Sequence, residues 1–299
     1  MPTNNPGQKS VLITGCTPGG IGHALCLEYH QRGLHVIATA RKVDVLRELA
    51  DVYGMSTLSL DVTNADSIKR CRTEVAQITG GKLDILINNA GRTHTHPATD
   101  LDLDDVRQTF ETNVFGAMSM VKAFVDMLRD AQGLIINTAS ASAVTPYLFG
   151  AAYTASKGAV VSYSRTLRLE LAPLGVRVMV TMTGTTKSNT ASHGHRVLPA
   201  DSIYQRAKDL FEWRLVFSQN SSTMPTEQYA QQLVTASLKP EVPLVFRTWF
   251  GRPDWFWYGG MSSTAWLAHS LGEWAMDTAG WYAFKVPELE KALASEESR

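Results

Sequence analysis

The chain has 299 residues, is 44% hydrophobic and 19% charged, and carries no formal net charge. That balance suits a packed globular core and gives no electrostatic pull toward nucleic acid or an acidic membrane surface. Its cysteines, Cys16, Cys26 and Cys71, are too few and wrongly spaced for a disulfide framework or a zinc site, and no metal is expected. The opening "MPTNNPGQKS" has no apolar leader, and no apolar run reaches the ~18 residues of a membrane-spanning helix. The expectation is an intracellular, cytoplasmic protein.

Short apolar runs alternate with helix-length amphipathic segments. Residues 11–13 predict a first strand, 21–32 a helix, 34–40 a second strand and 43–53 a helix. A strand at 57–60 precedes a helix over 65–78, with Asn64 as its cap. A fourth strand at 83–87 leads to a long helix over 103–128. Then come a strand at 134–137, a helix at 152–171 and a sixth strand at 176–182, with 244–246 as a candidate seventh. Such alternation predicts parallel strands joined by helical crossovers, a doubly wound parallel α/β sheet of the Rossmann kind. Runs such as "DILI" and "GLII" are continuously apolar, as strands covered on both faces must be. Ligands of such sheets bind beyond the carboxyl ends of the strands.

No repeat or linker-like break appears before about residue 185. The chain therefore reads as one domain over 1–299, with 9–190 as cofactor-binding and catalytic core and 186–299 as substrate lid and aromatic extension. Past residue 185 the stretch "TTKSNTASHGHRVLPADS" is polar and loop-like, and "SIYQRAKDLFEWRL" predicts a helix. After Thr248 the chain holds six of its seven tryptophans.

The first strand runs into Thr14-Gly15, and Gly20-Ile21-Gly22 opens the next helix. Glycines there let backbone approach a pyrophosphate, and the helix start offers unpaired N–H donors. Four residues separate the two glycine groups where a common dinucleotide pattern has three. The extra residue is expected to enlarge the turn at Thr17-Pro18-Gly19 and leave Gly15, Gly20 and Gly22 in their roles. The second strand ends in "ATARK". Ala40 stands where an acidic residue would hold ribose hydroxyls, and Arg41, followed by Lys42, can pair with a 2′-phosphate. That favours NADP(H); the alternative is a basic pair in a surface turn. Asp61-Val62 follows the third strand, where a carboxylate can accept from an adenine amino group or serve as a turn cap. Asn89, Ala90 and Gly91 of "NNAG" follow the fourth, where small residues admit a cofactor, unless the stretch is an ordinary turn.

Tyr153 and Lys157 of "YTASK" lie four apart on one face of a predicted helix. A phenol titrates near pH ~10, and a neighbouring ammonium lowers that value toward neutrality. Ser140, just past the fifth strand, can hold a substrate carbonyl beside Tyr153. Asn113, in the long helix, can order a water beside Lys157. Each alone is also an ordinary loop serine or helix asparagine.

In this order, "TGCTPGGIG", "DV" at 61–62, "NNAG", Asn113, Ser140 and "YTASK" resemble the short-chain dehydrogenase/reductase family over roughly residues 9–190. The resemblance implies a tetrad of Asn113, Ser140, Tyr153 and Lys157. In it Tyr153 protonates the carbonyl oxygen, and Lys157 contacts the ribose and lowers the tyrosine pKa. It also implies a dimer or tetramer. After the sixth strand the family usually reads Pro-Gly-x-Val-x-Thr, whereas here Thr183 replaces the proline and Ser188 the threonine. Ser188 keeps a hydroxyl for the cofactor, Gly184 and Thr186 keep their backbone, and the lost proline is expected to loosen the turn. The extra residue of the glycine loop and this altered segment are both similar to those of the fungal acyl-dihydroxyacetone-phosphate reductase branch and related natural-product reductases.

Phe211, Trp213 and the aromatic tail suit a lid over an apolar substrate, a core or subunit contact, or shallow contact with a membrane surface. His94 and His96 read as a solvated loop pair and "DLDLDD" as a helix start. The reading that follows is NADPH-dependent reduction of a hydrophobic, lipid-like or polyketide-like ketone. The alternatives are a non-redox cyclisation on the same fold and an alcohol dehydrogenase working in oxidation.

Overall fold

A computed structural model of the chain describes residues 7–188 and 196–294. Strands Ser10–Ile13 (β1), His35–Ala40 (β2), Ser56–Ser59 (β3), Ile85–Asn88 (β4), Leu134–Thr138 (β5), Arg177–Thr183 (β6) and Trp255–Tyr258 (β7) form one parallel sheet. Their order is β3–β2–β1–β4–β5–β6–β7. The helices before β6 are Ile21–Gln31 (α1), Arg47–Asp51 (α2), Ala65–Thr79 (α3), Leu103–Phe110 (α4), Gly116–Asp130 (α5) and Ala151–Leu171 (α6). After it come Lys208–Asn220 (α7), Thr226–Ser237 (α8), Arg247–Phe250 (α9), Ser262–Leu271 (α10), Glu273–Ala283 (α11) and Val286–Ala294 (α12).

The strand period of two divides the core. Val11 and Ile13 of β1 pack with Leu25 and Tyr29 of α1 and Leu233 of α8. Leu12, between them, packs on the other face with Val75 of α3, Phe124 of α5 and Leu171 of α6. Both faces are covered, as a parallel sheet requires. The strand order reverses between β1 and β4, so their carboxyl ends open a crevice where the loops diverge. Asn64 caps α3 as expected, its side chain accepting from the Ser67 N–H at 2.8 Å.

Three expectations change. The seventh strand is Trp255–Tyr258, not 244–246, which form a 3₁₀ turn. The four aromatics suit a pleated edge and pair with Val180–Thr183, whereas Val245 and Phe246 lie exposed. The helix expected over 103–128 is broken in phase by a π-helical turn, Glu111–Phe115, which carries Asn113. The helix expected at 43–53 begins as a 3₁₀ turn, Val43–Leu46. The expected polar loop falls partly on 189–195, outside the described residues. Among the described residues no helix is long and apolar enough to cross a membrane.

Candidate active site

The glycine loop is built on two tight approaches. Gly20 N donates to the Thr17 carbonyl at 3.1 Å, with Pro18 second in the turn and Gly19 third at φ +74°. That is the residue pattern of a type II turn, so the extra residue closes a regular turn. At Gly22 a Cβ would stand 2.4 Å from the Gly15 carbonyl oxygen and 2.6 Å from Asn89 Nδ2, so no side chain fits. The loop is tied to the end of β4 by Thr14. Its hydroxyl accepts from the N–H groups of Asn89 and Ala90, both at 2.9 Å, and donates to the Ile87 carbonyl. Asn89 returns the contact, donating from Nδ2 to the carbonyls of Thr14 and Gly15.

A cavity of about 1040 Å³ runs from this loop across the carboxyl ends of the strands. Gly15, Gly20, Ile21, Arg41, Asp61, Val62, Asn89, Ala90 and Gly91 line it from the cofactor end. Thr14, Gly22 and Lys42 do not: the first two are buried and Lys42 is exposed. Arg41 is exposed and forms no ion pair among the described residues. Asp61 Oδ1 accepts from the backbone N–H and hydroxyl of Thr63, which settles its orientation.

Ser140, Tyr153 and Lys157 meet in the middle of the cavity. Ser140, past β5, is fixed by the hydroxyl and N–H of Ser142, which donate to its Oγ at 2.9 and 3.2 Å. Lys157 Nζ donates to the Thr138 carbonyl at 2.8 Å and lies 5.9 Å from the Tyr153 ring centre. Burial lowers its pKa to about 8. The Tyr153 phenol is pushed up to about 12, chiefly by burial and then by Tyr147, while Ser140 and Arg214 oppose the rise. The expected fall in the tyrosine pKa through Lys157 is therefore not met. Desolvation outweighs charge here, and the ammonium is directed at a carbonyl. Asn113 is not on the cavity wall. Its Nδ2 donates to the Arg92 carbonyl and Ser156 Oγ, both at 3.0 Å, and its Oδ1 accepts from Arg92 N–H at 2.8 Å. It clamps the backbone beside Gly91.

Beyond β6, Gly184, Thr186 and Ser188 line the cavity. Thr183 does not loosen the turn. It ends β6, pairs with Tyr258 and shares a 2.7 Å hydrogen bond with the Tyr229 hydroxyl. The far wall departs most from expectation. Phe211, Trp213 and the tail tryptophans are absent from it. Helices α10 and α11 present Ala265, Ala268, Met276, Ala279 and Ala283 inward, while Trp266, Trp274 and Trp281 face outward. Phe211 packs on Phe149 and His96. Tyr147, Arg214, Phe217 and Phe284 supply the large side chains of the wall, and sequence reasoning named none of them as site residues. His94 is buried rather than solvated. It bonds to Thr109, faces Asp105 at 3.6 Å and has its pKa pushed down to about 4, mainly by burial. Asp102 caps α4 as expected of the acidic run.

A doubly wound sheet, a glycine loop at its switch point and a tyrosine–lysine pair over the cavity define a dinucleotide-dependent oxidoreductase architecture. The short chain dehydrogenase family model matches residues 9–196, and the chain belongs to that family. It is 39% identical over 264 residues to a short-chain dehydrogenase of Neurospora crassa, covering 88% of this chain and 87% of the relative. It is 46% identical over 202 residues to an NADPH-dependent 1-acyldihydroxyacetone phosphate reductase of Schizosaccharomyces pombe, covering 66% and 68%. A solved short-chain dehydrogenase from Streptomyces avermitilis shares the fold with a TM-score of 0.75 at 24% identity, over 98% of each chain.

Proposed function

We propose that the chain is an NADPH-dependent carbonyl reductase acting on a hydrophobic ketone, with Asn113, Ser140, Tyr153 and Lys157 as its chemical group. The observation that carries this reading is the meeting of Ser140, Tyr153 and Lys157 in one cavity that ends at the glycine loop and Arg41. The cradle fits a dinucleotide, since the cavity of about 1040 Å³ runs from Gly15, Gly20 and Ile21 past Arg41 and Asp61 to Gly91 and Lys157, and close packing at Gly15 and Gly22 keeps side chains out of the loop. Gly15, Gly20 and Ile21 would face the pyrophosphate, Arg41 the 2′-phosphate and Asp61–Val62 the adenine. Ala90, Gly91, Gly184, Thr186 and Ser188 would flank the nicotinamide half. The Schizosaccharomyces pombe relative is NADPH-dependent by name, which supports the same choice here. When bound, NADPH supplies a hydride.

The residues supply the rest. Burial keeps the Tyr153 phenol protonated at neutral pH, so it is a proton donor to a carbonyl oxygen. Ser140, held by Ser142, orients that oxygen. Lys157 is positioned by the Thr138 carbonyl to reach a ribose. Asn113 holds the backbone at 91–92 in place. Residues 9–188 thus carry the chemistry, α8 and β7 complete the core and the sheet, and α10 and α11 form the lid, whose small inward side chains leave room for an apolar substrate.

The test is a panel of lipid-like and polyketide-like ketones with NADH and NADPH side by side. Tyr153→Phe is expected to keep NADPH binding and lose about 1,000-fold or more in turnover. Product formation without matching loss of NADPH absorbance would instead establish a non-redox role.

A second observation concerns the outer face. Trp266, Leu267, Leu271, Trp274, Trp281 and Tyr282 are 43–71% exposed on α10 and α11. We propose that this face touches a lipid surface, where Trp and Tyr partition favourably. Co-sedimentation with neutral vesicles, lost in a Trp266→Ser/Trp274→Ser variant, tests it.

A further inference from the structure

Arg214 of α7 lines the cavity yet is only 1% exposed. Its guanidinium carbon lies 3.6 Å from the Tyr147 ring centre, 5.5 Å from Phe284 and 5.6 Å from Phe217. Arg92 and Arg196, on the same cavity wall, share the Asp105 carboxylate, each pairing with one of its oxygens. Arg214 has no acidic partner among the described residues; the groups that favour its charge are Tyr147 and Tyr153. Its Nε and Nη2 make no hydrogen bond among the described residues and lie beneath the cavity surface, shut off from solvent, while Tyr147 hydrogen-bonds the guanidinium.

A buried guanidinium is costly, and its aromatic contacts offset only part of that cost. If Arg214 served packing alone, an apolar side chain of similar volume would serve better. Nε and Nη2 share one edge of the guanidinium plane, where two parallel N–H groups match the two oxygens of an oxyacid. We infer that Arg214 anchors an anionic oxyacid group, a carboxylate or a phosphate, on the substrate; this rests on the ketone-reductase reading above. Tyr147, under the guanidinium, has its ring centre 6.5 Å from that of Tyr153. A short spacer therefore separates the acid from the carbonyl that Tyr153 would protonate, and Ala265, Ala268, Met276 and Ala279 receive the apolar remainder. Anion binding would also neutralise the charge that favours tyrosinate at Tyr153, which helps keep the proton donor charged with its proton.

Two measurements test this. The first is calorimetric titration of the NADP⁺-loaded protein with octanoate, octyl phosphate and methyl octanoate, none of which can be reduced at a ketone. Wild type is expected to bind at least one anion about tenfold or more tightly than the ester. Arg214→Gln should lose that preference, and Arg214→Lys, which keeps the charge but not the fork, should keep only part of it. The anion with the larger Arg214-dependent gain identifies the acid. The second is NADPH oxidation with a medium-chain 3-oxo acid against its methyl ester, and a 3-oxoalkyl phosphate against its free alcohol. An equal affinity of wild type for anions and ester overturns the inference even if the variants fail to fold, as does an undiminished preference in folded Arg214→Gln. Arg214-dependent anion binding with no ketone reduced would remove only the reductase reading. Ketone reduction with no preference for the charged member would remove only the anchor.

Discussion

Lys157 donates its 2.8 Å hydrogen bond to the Thr138 carbonyl, and burial depresses its pKa to about 8 from the ordinary 10.5. Between these values the unfolded chain holds more protons than the folded one, so folding stability rises with pH across that window. Removing the charge should therefore help the fold at pH 7. The shift is worth roughly 3 kcal/mol, less about 1–2 kcal/mol for the lost hydrogen bond. Lys157→Met is expected to be more stable than wild type by roughly 1–2 kcal/mol at pH 7 and to lose turnover. Urea denaturation at pH 7 and pH 10 checks this, because the advantage must shrink at the higher pH.

Arg41 is an exposed cation at the end of β2, beside Ala40. Arg41→Asp should lower kcat/KM with NADPH on the order of 100-fold and raise it with NADH, because a carboxylate repels a 2′-phosphate and binds ribose hydroxyls. Steady-state kinetics with both cofactors read the ratio directly. An unchanged ratio would mean the basic pair is only part of a surface turn.

Gly22 leaves no room for a methyl group beside Gly15 and Asn89. Gly22→Ala must displace backbone rather than a flexible side chain. It is expected to weaken NADPH binding more than tenfold and to cost about 2–3 kcal/mol of stability. Fluorescence titration and thermal melting measure the two effects separately.

Asn137 of β5 ties the neighbouring strand β4 to helix α6, accepting from Asn88 Nδ2 and donating to Ser164 Oγ, both at 2.9 Å. It is fully buried. Asn137→Leu leaves the Asn88 amide without its partner and should cost about 2–3 kcal/mol. The double variant Asn88→Leu/Asn137→Leu should cost less than the sum of the two single changes, which equilibrium denaturation of the set would show.

Much of this was legible along the chain. Strands such as β1, β4 and β5 announce themselves because they are almost wholly buried and mostly apolar, whereas β3, with Leu58 as its one apolar residue, is legible only from its place in the alternation. Ser140, Tyr153 and Lys157 were readable because spacing within and just ahead of one helix, α6, governs their convergence. The seventh strand was missed because "LVF" and "WFWY" are both short apolar runs, and only the pairing partner distinguishes them. Tyr147, Arg214, Phe217 and Phe284 were missed as site residues because they come from three separate stretches and meet only through tertiary packing. The tryptophans misled for a simple reason: bulk predicts burial, whereas this cavity wall needs small side chains such as Ala268 and Ala279. The Tyr153 pKa was misjudged because spacing shows a nearby ammonium but not how dry the phenol is.

The π-helical turn Glu111–Phe115 has a genetic side. Such a turn behaves as one residue inserted into a helix that had none to spare. Loss of a single codon between Asn113 and α5 would restore regular winding and swing Asn113 by about 100° around the axis. The face that α5 presents to the sheet, with Met120, Phe124 and Met127, would stay in phase. The clamp on Arg92 would be gone. An in-frame deletion there would part catalytically competent descendants from folded but silent ones in one mutational step.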